Sequence, residues 1–344
     1  MNVTVLAGGF STERDVSLTS GSLIANALIE NGHRVLLLDL AKGISELPAD
    51  PIELFRSIPY RRRAIGTTVP NLSKLRQDFG IEKAEIGPNV LDLCRMSDAV
   101  FLALHGGAGE NGQIQALLDC YGVPYTGSDH VGSLLAMDKD LSKRLLRDAE
   151  IPTPAWTVYD PNENRPEDLQ KVIELPCVIK PIDGGSSVGV SFAETAEELK
   201  NALAKAEKYS RRILVEQKIT GRELTVGVLG FRVLPPVEIR PKDGFYDYRN
   251  KYAGTTEELC PAPIPDRITT QLSDYARRAF CALHLRGYAR FDFLLDEEEH
   301  LWCIEANTLP GMTPTSLFPL AASTVGISYN ALCEILLRMA IDQI

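Results

Sequence analysis

The apolar run Val3 to Ala7 is followed by Gly8-Gly9, then by Leu23, Ile24, Ala27 and Leu28 at helical spacing, and then by Gly32 and a second strand-like run, Arg34 to Leu38. Strand, helix and strand in that order make a βαβ unit, and with it an open parallel α/β sheet. Ala99 to Leu104 is a further apolar strand of the same kind, and it runs directly into His105-Gly106-Gly107-Ala108-Gly109-Glu110-Asn111-Gly112. A glycine-dense loop at the C-terminal end of a strand is where such sheets place ligands. At 344 residues the chain exceeds one such unit, and two or three domains are expected.

The remaining chain divides by pattern. Residues 41 to 95 have weak periodicity, several prolines and the basic run Arg61-Arg62-Arg63, and are expected to form a variable excursion of short helices and loops. After Pro124-Tyr125-Thr126-Gly127 come a helix over Asp138 to Asp148, a strand Cys177 to Lys180, and a helix from Thr195 with the capping box Thr195/Glu198 and a stripe at Leu199, Ala202, Leu203 and Ala206. From Ile213 strands alternate with one long helix, Ile268 to Leu285, followed by strands Tyr288 to Leu295 and Leu301 to Ile304 and an apolar helix around Ala331 to Ile341. Near the N-terminus, Thr12 with Asp15 reads as a second capping box, which leaves Glu13 unexplained.

Composition narrows the partners. Acidic residues outnumber basic ones by ten, so the chain lacks the basic footprint that a nucleic-acid partner needs. Seven cysteines, an odd number with no Cys-x-x-Cys pair, suggest neither a disulfide framework nor a zinc ribbon and fit a reducing cytoplasm. No apolar run approaches the roughly 20 residues of a membrane span, and Met1 to Val5 has no signal-peptide character. A cytoplasmic protein with no membrane partner is expected.

The chemistry concentrates in a few segments. Asp292 interrupts one apolar strand and Glu305-Ala306-Asn307 ends the next, bringing three oxygen ligands to one end of a two-stranded ribbon. Hard oxygen donors on a rigid ribbon suit Mg²⁺ with nucleotide phosphates; read singly, each is also an ordinary strand-end polar residue. Arg290 shares the face of Asp292 by the period-two rule, either aimed at the same cluster or paired with Asp292. Asp183-Gly184-Gly185-Ser186-Ser187-Val188-Gly189, after a strand ending in Lys180, offers backbone N–H groups and hydroxyls to a phosphate, though it is no Walker A motif. Lys139 and Lys180 taken alone are surface lysines, and His105 alone is a satisfied strand-end histidine. The aromatic and charged stretch Phe245 to Gly254 has the character of a lid. The Gly8-Gly9 turn lacks the full dinucleotide fingerprint, which argues against hydride transfer.

Together these segments resemble the D-alanine–D-alanine ligase family of ATP-grasp enzymes. The carrying motifs are Gly8 to Ser17, Leu104-His105-Gly106, Pro124 to Ser128, Ala136 to Lys139, Gly185 to Gly189, Tyr246-Asp247-Tyr248 with Lys251-Tyr252, and Glu305 to Thr313. The resemblance covers nearly the whole chain except 41 to 95. It implies three domains, 1–128, 129–216 and 217–344, the first an open parallel α/β sheet and the other two the ATP-grasp pair enclosing ATP. It implies ATP contacts from Lys139, Lys180, Ser187, Glu216, Ile219, Phe245, Lys251 and Leu294, and two Mg²⁺ or Mn²⁺ ions on Asp292, Glu305 and Asn307. A first D-alanine is expected at Glu13 and His105, and a second at Ser316 and Leu317. Arg290 and the Gly311 N–H are expected to stabilise the oxyanion, and Glu13, Ser186 and Tyr252 to form one cluster. Tyr252 favours a peptide bond over an ester.

Members of this resemblance are commonly homodimers. The chain departs from the family pattern at Asn111, Gly184 and Lys218. The rival readings are a ligase that takes D-serine as second substrate, a non-catalytic nucleotide-binding protein, and a dehydrogenase. The second predicts loss of at least one of Asp292, Glu305, Asn307, Lys139 or Lys180, and all five are present.

Overall fold

A computed structural model describes residues 1–61, 70–169, 171–185, 188–241 and 256–342. Strand β1 (Asn2–Ala7) lies between β2 (Arg34–Asp39) and β3 (Ala99–Leu102), parallel to both, with Val3 opposite Val35 on one side and Ala99 on the other. A parallel strand covered on both faces has no solvent side, so its apolar run is continuous rather than alternating. The helix Arg14–Glu30 carries the chain from β1 to β2 and lies so close to the sheet that a Cβ at Gly21 would come within 2.6 Å of the Ala7 Cβ.

That helix begins differently from the sequence expectation. Glu13 occupies its N-cap without a side-chain cap bond, and Thr12 and Asp15 form no box. The reason is local: the Ser11 Oγ takes the Glu13 N–H at 3.1 Å, so a tight turn leads the chain into the helix. The expected excursion contains a 3-10 turn at Pro51–Leu54 and the short helices Leu72–Phe79 and Val90–Arg95.

A second, antiparallel sheet is built from β4 (Trp156–Tyr159), β5 (Cys177–Pro181), β6 (Ser191–Ala193) and β7 (Ile213–Gln217) in the order β4-β7-β5-β6. The helix Ala196–Ala206 covers it with the expected stripe, Leu199, Ala202, Leu203 and Ala206. Thr195 caps this helix at the Glu198 N–H (3.2 Å), while the Glu198 carboxylate reaches back to the Glu194 N–H (2.7 Å).

The third and largest sheet contains β8 (Arg222–Leu229), β9 (Arg232–Val233), β10 (Val237–Pro241), β11 (Thr256–Leu259), β12 (Tyr288–Leu295) and β13 (Leu301–Asn307). Its order is β11-β10-β8-β12-β13, with β9 on β8. Along β12, Ala289, Phe291, Phe293 and Leu295 enter one core with the helices His130–Met137, Lys139–Asp148 and Asp266–Ala282. Arg290, Asp292 and Leu294 take the opposite face, as period two requires.

On β13, Leu301 and Cys303 point into that same core, and strict alternation would send Glu305 and Asn307 after them. The ladder instead slips: Phe293 pairs with Cys303 but Asp292 with Glu305, leaving Ile304 as the extra residue. A one-residue bulge reverses the facing of everything beyond it. Glu305 and Asn307 therefore join Arg290 and Asp292 on the outer face.

The helices Leu317–Thr324 and Tyr329–Ile341 return to share a core with the first sheet and with Leu229, Val237 and Tyr288. The His33 Nε2 meets the Glu334 carboxylate at 2.7 Å across this junction. Phe318 is the central side chain there, buried with its ring centroid 5.5 Å from that of Tyr288 and its edge against Gly227. Phe318→Ala is expected to cost about 3–5 kcal/mol of stability. Urea titration of the two proteins checks this, and a difference below about 1 kcal/mol would place the contact outside the stabilising core.

Candidate active site

A cavity of about 680 Å³ opens between the second and third sheets. Lys180 and Val178 from β5, Glu216 from β7, Ile219 from the connection, Leu294 and Asp292 from β12, Glu305 from β13 and Lys139 from its helix all line it. Seven of the residues singled out in the sequence thus meet at one place, although they are scattered over 167 positions, 139 to 305.

Asp292 is the most heavily bonded of them. The Arg290 Nε and Nη2 donate to its two oxygens at 2.9 and 2.8 Å, Thr225 Oγ1 donates at 2.6 Å, and Asn307 Nδ2 at 3.0 Å. The structure shows the pairing of Arg290 with Asp292, beside Thr225 and Asn307 on the same carboxylate. Glu305 lies opposite Asp292 in the ladder, and its carboxylate is 3.9 Å from Lys139 Nζ. Two carboxylates and an amide oxygen on one strand face are the hard donor set that Mg²⁺ or Mn²⁺ takes, so the residues fit such an ion.

The lysines form a second cluster. Glu216 is only 3% exposed, and its two oxygens are held by Lys180 Nζ at 2.6 Å and Lys143 Nζ at 2.9 Å. Burial pushes the Glu216 carboxyl up, but the two ammonium groups outweigh it and hold the group below the usual carboxylate range. Lys143 also donates to Thr153 Oγ1 at 2.6 Å. Lys139 donates to the Gly184 carbonyl at 2.5 Å, and burial holds its pKa below that of a free lysine despite the opposing pull of Glu305. Lys143 was missed in the sequence, although it follows Lys139 by four residues and so shares its helix face.

Beyond the metal-type cluster lies a third group. The Glu13 carboxylate sits between two loops: a Cβ at Gly185 would come within 2.9 Å of its Oε2, and one at Gly106 within 3.3 Å. His105 is buried, and its Nδ1 lies 3.1 Å from the Leu309 carbonyl, which can only accept, so Nδ1 carries the proton. Burial lowers the His105 pKa against the opposing effect of Glu13, which keeps the ring neutral. Its Nε2 has no hydrogen-bond partner among the described residues.

Glu110 was also missed, though it is the one acidic side chain in the glycine-dense loop. Its carboxylate takes the N–H groups of Gly106 (2.6 Å) and Leu309 (3.3 Å). Enclosure of the carboxyl, and then the nearby charge of Glu13, push its pKa up to about 8. Arg290 acts electrostatically on both His105 and Glu110, and so links this group to the ribbon.

Ser316 precedes the helix Leu317–Thr324, and its Oγ accepts the Thr313 N–H at 3.1 Å. The Leu317 side chain is buried in the core. A Cβ at Gly311 would stand 3.0 Å from Ser316 Oγ, so glycine keeps that loop close. Ser186, Ser187, Phe245, Lys251 and Tyr252 lie outside the described residues. The three departures have visible local roles: Asn111 accepts the Gln113 N–H at 3.1 Å, Gly184 supplies the carbonyl that holds Lys139, and Lys218 lies 5.4 Å from the Phe192 ring centroid and 3.7 Å from Glu194.

Comparison with known proteins gives one family. Residues 2–128 match a family model described as the D-ala D-ala ligase N-terminus, and residues 145–338 one described as the D-ala D-ala ligase C-terminus. A D-alanine–D-alanine ligase of Pediococcus pentosaceus is 39% identical over 97% of this chain and 96% of its own length. That of Desulfotalea psychrophila is 37% identical over 100% and 96%. Among solved structures, the Bacillus anthracis D-alanine–D-alanine ligase complexed with ATP superimposes with a TM-score of 0.78 at 25% identity, covering 100% of this chain and 98% of that one.

Two outcomes follow from the buried charges. Lys143→Met leaves Glu216 with one partner in place of two, and is expected to lose about 3 kcal/mol or more in chemical denaturation; an unchanged midpoint would mean that Lys180 suffices. Glu110 titrates near 4.5 when exposed and at about 8 in the fold, so the unfolded chain releases this proton first as pH rises. Its contribution therefore falls through that window. Glu110→Gln should gain stability relative to the parent protein between about pH 5 and pH 8, and parallel pH profiles of the two would contradict the enclosure of that carboxyl.

Proposed function

The chain belongs to the D-alanine–D-alanine ligase family, and from that premise we propose how its residues divide the reaction. It is an ATP-dependent ligase that joins two molecules of D-alanine and releases ADP and phosphate, in the synthesis of peptidoglycan precursors. The observation that supports the division of roles is the meeting of the bulged β12–β13 face with Lys139 and Lys180 in one cavity.

We assign ATP to that cavity, with Lys139 and Lys180 on its phosphates or adenine and Ile219, Leu294 and the Glu216 strand near its base; the family resemblance adds Ser187, Phe245 and Lys251 to its contacts. Asp292, Glu305 and Asn307 would hold two divalent ions, Mg²⁺ or Mn²⁺, which would neutralise charge on the transferring phosphoryl group. Glu13 receives the ammonium of the first D-alanine, beside the neutral ring of His105. This orients the D-alanine carboxylate towards the γ-phosphorus, and its oxygen attacks there to give D-alanyl phosphate and ADP.

Ser316 and the Leu317 N–H bind the carboxylate of the second D-alanine, at a helix N-terminus where backbone N–H groups favour an anion. Its neutral amine attacks the acyl carbon of D-alanyl phosphate. The oxygen that gains charge faces the Arg290 guanidinium and the Gly311 N–H, and its collapse expels phosphate. Two of the five guanidinium donors of Arg290 go to Asp292, which fixes the plane of the remainder. The family resemblance adds Ser186 and Tyr252, which lie outside the described residues, to the group expected to act with Glu13.

Residues 1–128, 129–216 and 217–344 act as the first-substrate, central and metal-binding units. A cytoplasmic homodimer, without nucleic-acid or membrane partners, is the form we assign. Its use of ATP, its net charge of −10 and the absence of any single membrane-length apolar helix among the described residues support that assignment.

Purified protein given ATP, Mg²⁺ and D-alanine should release ADP and D-alanyl-D-alanine in equal amounts, with D-lactate and D-serine tested as alternative acceptors by product mass. Preferential coupling to D-serine would replace the acceptor, and ATP left intact in all three mixtures would sink the substrate assignment. Glu305→Gln should abolish turnover while leaving the fold's circular dichroism unchanged; near-normal rates at limiting Mg²⁺ would remove Glu305 from the site.

A further inference from the structure

The excursion between β2 and β3 carries no chemistry legible in sequence, and its helix Leu72–Phe79 contributes no buried residue and belongs to none of the three cores. Its apolar side chains Leu72, Leu75 and Phe79 are only half-buried, so packing into a core does not account for where it sits. What it touches is the loop that leads to Glu13. The Arg76 guanidinium lies 4.0 Å from the centroid of the Phe10 ring, and the Phe79 ring lies 6.3 Å from Phe10 at an interplanar angle of 48°. Arg14 stands 5.3 Å from the Phe79 centroid. The same guanidinium bonds the Gly9 carbonyl at 2.9 Å and is paired with Asp39. Arg76 is itself held by Glu85 and by the Ala84 carbonyl.

These contacts bracket one residue. Phe10 precedes Glu13 by three positions and Arg14 follows it by one. The Glu13 backbone is tied to Ser11 between them, and its carboxylate has little room between Gly106 and Gly185. A shift of the Phe10 ring would carry the whole turn, and with it the carboxylate. Aromatic pairs and cation–π contacts have preferred geometries, so a ring held by one of each has a defined position.

We propose that Phe79 and Arg76 are positioning residues for the first substrate: through Phe10 they hold the turn from Gly8 to Arg14, and thereby set the Glu13 carboxylate where the ammonium of the first amino acid binds. The inference rests on the role of Glu13 given above. Neither residue touches the substrate. Their loss weakens binding in the ground and transition states alike, which raises KM for the first D-alanine and leaves kcat nearly unchanged.

The test uses Phe79→Ala and Arg76→Ala in the full-length protein, with Phe79→Tyr as the conservative variant. Trapping D-alanyl phosphate with hydroxylamine, in competition with the second D-alanine, reads the first half-reaction. The expected result is a rise of about tenfold in KM for D-alanine in each alanine variant, the size set by loss of one aromatic or cation–π contact. KM for ATP should stay at the parent value, and Phe79→Tyr should restore that for D-alanine. An unchanged D-alanine KM overturns the proposal, and so does an equal loss in ATP binding, kcat and thermal midpoint, which would mark a structural role only. Amide hydrogen exchange over residues 8–14 separates this from failure of the function itself. If the parent protein forms no hydroxamate, the ligase reading fails, and faster exchange in Phe79→Ala still upholds the clamp while equal exchange rejects it.

Discussion

A single extra residue in one strand decides the facing of the reactive groups. Ile304 bulges from β13, and without that slip Glu305 and Asn307 would follow Cys303 into an apolar core, where an unpaired carboxylate is several kcal/mol too costly to bury ionised. With the slip they stand opposite Asp292 and Arg290 on the cavity face. The β12 strand needs no such device, because strict alternation already separates its phenylalanines from Arg290 and Asp292. The two strands are thus joined so that one regular pattern and one broken pattern give a single polar face.

The charge on the other wall of the cavity follows the same physical limit. Glu216 is buried as an ion only because Lys180 and Lys143 both reach it, and the two lysines come from elements packed in different cores: Lys180 from the small sheet, Lys143 from a helix packed on the large one. The triad therefore ties two cores together across the cavity. Two ammonium groups on one carboxylate leave a surplus positive charge, to which Lys139 adds. A cavity with that surplus favours a polyanion, and the carboxylates on the facing ribbon favour a divalent cation beside it. The end of the site around Glu13 balances differently. There Glu13 and Glu110 lie close together, and the pressure is relieved by Glu110 holding its proton to about pH 8.

Much of this was legible before any coordinates. The apolar runs of β1 to β3, β5 and β12, and the helices Lys139–Asp148, Ala196–Ala206 and Asp266–Ala282, stand within a few residues of where periodicity puts them. The helices Gln113–Cys120, His130–Met137 and Leu317–Thr324 did not announce themselves, since each is only eight residues long and the second is apolar on most of its surface. Thr12 and Asp15 had the spacing of a capping box and did not form one, because the helix starts one residue later, with Glu13 at its N-cap. Glu110 and Lys143 were overlooked because each looks ordinary alone: one is an acid in a loop, the other a lysine on a helix.

Residue identity and order alone determined which chemistry was available: hard oxygen donors, lysines, a glycine-rich loop after a strand, and the ordered motifs that mark the family. Those are properties of the side chains and of short-range periodicity, and they survive in the unfolded chain. What the tertiary structure decided was proximity and environment. The bulge at Ile304, the sharing of Glu216 by two lysines, the raised pKa of Glu110 and the seating of Leu72–Phe79 on Phe10 each join residues far apart in sequence or hidden from water only by packing. Desolvation, and the Coulomb forces it strengthens, exist only once the chain has folded around them.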